Sequence, residues 1–80
     1  MIVENDNRFH LANTPLNRTV RIKRLDGPRE ECDRLLDLGF TPGEEIVVTQ
    51  KTPFGDPLVI RVRGALLALR KREASWICVE

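Results

Sequence analysis

Short alternating segments are the feature that most restricts the fold of this 80-residue chain. Apolar and basic side chains alternate over Thr19–Leu25, and the same alternation returns over Leu58–Arg63. Successive side chains of a β-strand point to opposite faces, so this pattern is typical of a strand with one buried face. Three further segments are interpreted in the same way. The predicted strands are residues 19–25, 45–50, 58–63, 65–70 and 76–79.

The stretch between the first two strands has a helical period instead. Leu35 and Leu36 fall on one face of a helix over residues 28–38. Pro28 is suited to the first helical turn, and Gly39 stands where a left-handed C-terminal cap is needed. The sequence therefore predicts a helix that covers one open end of the sheet and buries both leucines.

Together these elements predict a mostly β fold, a small five-stranded barrel with one α-helix between the first and second strands. Closing such a sheet into a barrel would hide its edges. A short helical turn is expected at residues 71–74. Residues 1–10 are polar and aperiodic, so we expect a flexible N-terminal extension there and a single domain over residues 11–80.

Composition excludes several classes of function. The chain has 13 basic and 12 acidic residues and a net charge of +1, which disfavours a general polyanion binder. It contains no apolar run of about 18 residues and no apolar leader after Met1, so we expect a cytoplasmic protein without membrane insertion. In that compartment Cys32 and Cys78 are expected to be reduced, although a disulfide between them is the alternative.

Metal binding and catalysis have few candidate residues. His10, Cys32 and Cys78 lack the close spacing of zinc ligands. We interpret His10 as a surface histidine and Cys32 as a packed thiol, while Cys78 falls on the strand face opposite to the inferred core. We predict no catalytic residue, no bound metal and no cofactor. A metal carrier using Cys32 or Cys78 stays open as an alternative.

Nucleic-acid binding is a second alternative, because small barrels can bind oligonucleotides. Basic residues cluster at 21–24, at Arg61 and Arg63, and at 70–72. Base stacking needs exposed aromatic side chains, and the chain has three Phe, one Trp and no Tyr. We therefore expect these basic residues to face water and no nucleic acid to bind.

Apolar residues at outward strand positions are the most unusual feature of the pattern. Val59, Leu66 and Trp76 fall on faces opposite to the inferred core, and Phe54 lies in a loop. Exposed apolar patches often mark interaction sites, and Trp is frequent at binding hot spots. The alternative is that the N-terminal segment, through Phe9 and Leu11, folds back over some of these residues.

A series of motifs resembles a known family. The turn L-G-F-T-P-G ends at Gly43, the loop P-F-G-D-P-L spans residues 53–58, and the strands I-R-V-R-G and L-A-L-R follow. The series covers about residues 11–80 and is similar to the ferrous iron transport protein A family, FeoA. The resemblance implies an SH3-like barrel without catalytic activity. It also implies a cytoplasmic bacterial accessory or regulatory protein of FeoB, the ferrous iron transporter with a cytoplasmic GTP-binding domain. A related barrel occurs at the C-terminus of iron-dependent repressors, which is a further alternative.

The resemblance also assigns residues. It makes the loop over residues 53–57 the feature most expected to meet a partner, and it implies no iron ligands. Leu66 and the long extension depart from the family pattern and favour self-association. The expected core is Ile46, Val48, Leu58, Ile60, Val62, Leu67, Leu69, Ile77 and Val79. The predicted partner-binding residues are Pro53, Phe54, Gly55, Asp56, Pro57, Val59, Leu66 and Trp76.

Overall fold

A computed structural model describes residues 9–80, so most of the predicted extension lies outside the described residues. The described part contains one antiparallel five-stranded sheet and two helices. A single 3₁₀ turn, Leu11–Asn13, precedes the sheet. The elements are β1 (Thr19–Leu25), α1 (Arg29–Asp37), β2 (Glu45–Lys51), β3 (Leu58–Val62), β4 (Ala65–Leu69), α2 (Lys71–Ala74) and β5 (Ile77–Val79).

The five predicted strands and the helix between the first two are confirmed, with ends that differ by one residue or less. The strands are hydrogen-bonded in the order β4-β3-β2-β1-β5. In the part of the chain that the structure describes, the order ends at β4 and at β5, so hydrogen bonds between these two strands do not complete the expected closure. Helix α2 connects them instead, and the sheet keeps two edges.

A two-residue loop joins β3 to β4. Arg63 and Gly64 both have positive φ, at 53° and 78°. Positive φ at both loop positions matches the right-handed twist of the flanking strands, which is why such loops close tight hairpins. This loop sets the register in which Val62 faces Ala65.

Helix α1 ends in a Schellman motif at the predicted glycine. Gly39 has a φ of 109°, and its N–H donates to Leu36 O at 3.0 Å. The N–H of Phe40 donates to Leu35 O, also at 3.0 Å. These two bonds satisfy carbonyls that would otherwise lack a partner at the helix end. The motif turns the chain so that Phe40 enters the core, where it is fully buried.

The prediction that α1 buries Leu36 is wrong. Leu35 is completely buried, but Leu36 is 39% exposed. Adjacent helical residues lie about 100° apart around the axis, so a short helix that points Leu35 into the core places Leu36 at the border of its buried face. Leu38, at the other border, is equally exposed.

The core lies between the inner face of the sheet, α1 and the 3₁₀ turn. All the predicted core residues belong to it, with Leu67 only half-buried. Residues outside the predicted core set complete the cluster. They are Leu11, Ala12, Ile22, Leu35, Phe40 and Ala74.

Strand β5 is buried on both faces, which its alternating pattern does not predict. Cys78 was expected opposite to the core, yet it is only 5% exposed. The reason is that His10 forms an antiparallel bridge with Cys78, and the 3₁₀ turn packs against β5 and α2. The N-terminal segment thus folds back over β5, with Leu11 fully buried and Phe9 half-exposed, although Cys78 is not among the outward residues that it was expected to cover.

Candidate partner-binding surface

The loop over residues 52–57 is a compact turn that presents one aromatic side chain. The N–H of Gly55 donates to Thr52 O at 2.8 Å, and the N–H of Asp56 donates to Thr52 Oγ1 at 2.9 Å. Pro53 stands where proline pre-sets φ for a β-turn, and Gly55 takes the positive φ of 76° that follows. Phe54, at the tip, is 91% exposed.

Asp56 connects this loop to α2. Its Oδ1 accepts a hydrogen bond of 3.0 Å from the backbone N–H of Lys71, the first residue of that helix. The first N–H groups of a helix have no partner within the helix, so a carboxylate there satisfies one of them. The bond fixes the loop beside the start of α2, although 15 residues separate the two positions.

Two of the predicted binding residues share the outer face of the β3–β4 hairpin. Leu66 lies opposite Arg61, and Val59 lies opposite Ala68. Val59 and Leu66 are therefore diagonal neighbours on one face, a spacing at which cross-strand side chains interact. Leu66 is 58% exposed and Val59 is half-buried.

Trp76 lies elsewhere. It precedes β5, at the other end of the strand order, and packs against the core rather than pointing outward as its strand phase predicted. A Cβ atom on Gly27 would lie only 2.6 Å from two ring atoms of Trp76, so this close approach requires glycine. Arg72 covers the ring, with its guanidinium carbon 5.5 Å from the ring centroid. The structure thus places Val59 and Leu66 on one face of the hairpin and the loop directly before β3, whereas Trp76 lies apart from them.

A groove between the loop, β4 and α2 contains residues that sequence reasoning missed. It has a volume of about 390 Å³. Glu73 Oε1 accepts a 2.9 Å bond from the Arg70 N–H, and its Oε2 forms an ion pair with Arg34 of α1. The hydrogen bond to Glu73, followed by a bond to Glu31, raises the pKa of Arg34. No local pattern reveals this pairing, because Arg34 and Glu73 are 39 residues apart. The lining residues are Asp56, Pro57, Ala68, Arg70 and Glu73.

The candidate metal ligands have separate surroundings. Cys32 Sγ exchanges 3.4 Å hydrogen bonds with the backbone of Gly27, and Cys78 Sγ lies 3.9 Å from Asp26 Oδ2. Burial, together with the charge of Lys71, lowers the pKa of His10. Within residues 9–80, no three His, Cys, Asp or Glu side chains are grouped as metal ligands would be.

Several of the basic residues considered for nucleic-acid binding form ion pairs. Arg21 contacts Glu45 at 3.0 Å, Arg24 contacts Asp26 at 3.4 Å and Arg63 contacts Glu44 at 3.3 Å. These three pairs neutralise charge along β1 and at the β3–β4 turn. Neither helix of the described chain has the length and apolar character needed to cross a bilayer.

Comparison with known proteins identifies the family. A family model described as the FeoA domain matches residues 9–80. A Porphyromonas gingivalis (strain ATCC BAA-308 / W83) Fe(2+) transport protein A/Fe(2+) transporter FeoB fusion protein is 36% identical over 59 residues. That match covers 74% of this chain and 7% of the fusion protein.

Two solved structures extend the match to three dimensions. The iron(II) transport protein A of Clostridium thermocellum is 42% identical, with a TM-score of 0.84 over 89% of this chain and 44% of the other. The FeoA of Stenotrophomonas maltophilia, a prokaryotic SH3 domain protein complexed with zinc, is 31% identical, with a TM-score of 0.79 over 89% and 88%. The resemblance and the SH3-like fold expected from the sequence are confirmed. The chain belongs to the FeoA family, which is associated with ferrous iron transport.

Proposed function

We propose that this chain is a non-catalytic, cytoplasmic accessory and regulatory protein of ferrous iron uptake, and that it acts by binding the cytoplasmic domain of a FeoB-type transporter. The observation that carries the proposal is the P. gingivalis relative, in which the corresponding domain and FeoB form one fusion protein. Fusion keeps two domains at high effective concentration, which is useful when they work in contact.

The geometry of the loop supports a binding role. Hydrogen bonds from Gly55 and Asp56 hold the turn, and the bond from Lys71 to Asp56 fixes it against α2. Phe54 nevertheless remains almost fully exposed at the tip. An exposed aromatic side chain on a held loop can enter a partner's pocket with little loss of backbone entropy.

The test is a calorimetric titration of the full chain with the isolated cytoplasmic domain of the transporter. The variant Phe54→Ser should weaken binding by about thirtyfold or more, which corresponds to the loss of about 2 kcal/mol that defines a hot spot. Leu16→Ser is the matched control, because Leu16 is also an exposed apolar residue but lies outside the loop. Absence of a complex with the unmodified chain, together with normal iron uptake in cells that lack it, would refute the proposal.

The nucleic-acid, repressor-type and metal-carrier alternatives stay predictions. An oligonucleotide titration at two salt concentrations tests the first, since phosphate contacts weaken steeply with salt. A metal titration that compares the chain with Cys32→Ser and Cys78→Ser variants tests the last.

A further inference from the structure

The outer edge of β4 presents backbone hydrogen-bonding groups to solvent. The two-residue loop makes Val62 and Ala65 a hydrogen-bonded pair, and bonded and non-bonded pairs alternate along antiparallel strands. Leu67 therefore also bonds to β3, whereas Leu66 and Ala68 direct their N–H and C=O groups away from it. Among residues 9–80, β4 is the last strand in the order and both residues are exposed, so these groups form an open edge.

The side chains of β4 do not protect this edge. Natural edge strands commonly carry a charged residue, a proline or a covering segment that blocks pairing with another chain. The sequence of β4 is A-L-L-A-L, without a charge or a proline. Its apolar outer residues, Leu66 above all, would gain contacts from an added strand rather than oppose it.

Basic side chains surround the open edge. Arg61 lies opposite Leu66 on the outer face, and Arg63 stands at the turn before β4. Arg70 and Lys71 follow directly at the other end, and both are exposed. The edge is thus an apolar strand between two positively charged ends.

The carboxylates near these ends already have partners. Glu44 pairs with Arg63, and Glu73 pairs with Arg34 while it accepts the Arg70 N–H. Asp56 accepts the N–H of Lys71. The ion pairs neutralise Glu44 and Glu73, whereas Asp56 keeps its negative charge. The three exposed cations Arg61, Arg70 and Lys71 outweigh that one carboxylate, so an approaching strand would meet a net positive charge.

We propose that the edge of β4 binds an extended segment of a partner protein as a sixth strand, and that this segment has apolar residues at its centre and acidic residues at its ends. Addition of a strand to a sheet edge is an established mode of peptide recognition, in which backbone hydrogen bonds give affinity and side pockets give specificity. The inference rests on the proposed function for the identity of the partner. The apolar centre and acidic ends of the segment follow from β4 and the residues beside it.

A second copy of this chain is a poorer occupant of the edge. Antiparallel pairing of Leu66 with Ala68 of another copy would bring Arg63 of each copy toward Lys71 of the other. Like charges in opposite positions of paired strands are unfavourable. Acidic ends on a partner segment turn these two contacts into attractive ones.

The groove beside Ala68 supplies the side pocket. It lies at the junction of β4, the loop and α2, and its lining includes Ala68 and Arg70. An added strand bonded to the backbone of Ala68 would pass this groove. One of its side chains would then enter the groove.

The first test changes one backbone donor. Ala68→Pro removes the outward N–H of residue 68, and proline is tolerated at an edge position whose N–H faces solvent. Ala68→Thr is the matched control, because it keeps the N–H. In the calorimetric titration with the transporter's cytoplasmic domain, Ala68→Pro should weaken binding by about tenfold or more, and Ala68→Thr by less than about twofold.

The second test does not need the transporter. The probe is the peptide EDVTVTVDE, followed through the backbone amide signals of the full chain by NMR. Signals of Leu66 and Ala68 should shift most. Two control peptides should cause no shift. KKVTVTVKK has basic instead of acidic ends, and the acidic peptide with N-methyl groups at alternate residues cannot form the backbone bonds. In Arg61→Glu the response to the acidic peptide should fall at least about threefold.

The outcomes separate this inference from the proposed function. Equal transporter binding by the Ala68→Pro and Ala68→Thr variants would overturn the inference and leave the proposed function intact. Shifts at β4 with the acidic peptide, but no complex with the transporter, would support the inference and remove the proposed function. Peptide shifts confined to other strands, or a dimer of the chain joined through β4, would overturn the inference.

Discussion

The two edges of the sheet differ more than their sequences suggest. Strands β4 and β5 are both short and apolar, A-L-L-A-L and I-C-V. All three residues of β5 are buried, whereas only Leu69 of β4 is. The difference comes from the segment around His10, which bridges to Cys78 and covers one edge while the other stays open.

This comparison teaches that the exposure of an edge strand depends on what lies beside it. The alternation within β5 cannot show that another segment of the chain covers its outer face. A short apolar strand therefore stabilises the fold at the β5 edge and offers a recognition surface at the β4 edge.

A Leu→Ala substitution at each edge should show the largest difference in stability between them. Leu11→Ala should lower the free energy of unfolding by about 2–5 kcal/mol, because Leu11 is fully buried beside β5 and its loss leaves a cavity. Leu66→Ala should change it by about 0.5 kcal/mol or less, because Leu66 is mostly exposed. Urea denaturation measures both. Similar effects of the two substitutions would contradict the assigned difference between the edges.

A smaller effect is expected where Trp76 packs near the covered edge. Gly27→Ala should lower the free energy of unfolding by about 1–3 kcal/mol, since the added Cβ overlaps the Trp76 ring and forces a shift. The control is the double variant with Trp76→Leu, in which the same Gly27→Ala change should cost less than it does in the native chain. Additive effects of the two changes would mean that the ring does not occupy this position.

The smallest effect concerns His10 and pH. Burial lowers its pKa below the usual 6.5, so the unfolded chain binds more protons in this range and stability rises with pH. Stability due to neutral His10 is complete above about pH 6.5 and declines as the pH falls toward the lowered value. His10→Gln should remove this part of the pH dependence of the urea midpoint. An unchanged profile would show that His10 is not held in the buried environment of the covered edge.

Much of the fold follows from local pattern. Alternation predicted every strand, and Gly39 marked the end of α1 because the left-handed cap favours glycine. Leu36 was misplaced because the periodicity of a nine-residue helix gives a broad apolar face but not its centre. That centre depends on the tertiary contacts of Leu35, which no local pattern contains.

The candidate surface was predictable only in part. The motif predicted the loop over residues 53–57, and the hairpin register follows from the turn at Arg63. The groove could not be predicted, because the contacts of Glu73 with Arg34 and of Asp56 with Lys71 join distant parts of the chain. Trp76 was assigned outward from its strand phase, which cannot show that Gly27 makes room for the ring against the core.

Amide hydrogen exchange of the full chain tests the difference between the edges most directly. The amides of Leu66 and Ala68 should exchange rapidly, while those of Leu67 and Leu69 and of β5 as a group should exchange only when the sheet opens. Slow exchange at Leu66 and Ala68, or fast exchange throughout β5, would contradict the conclusion that one edge is open and the other covered.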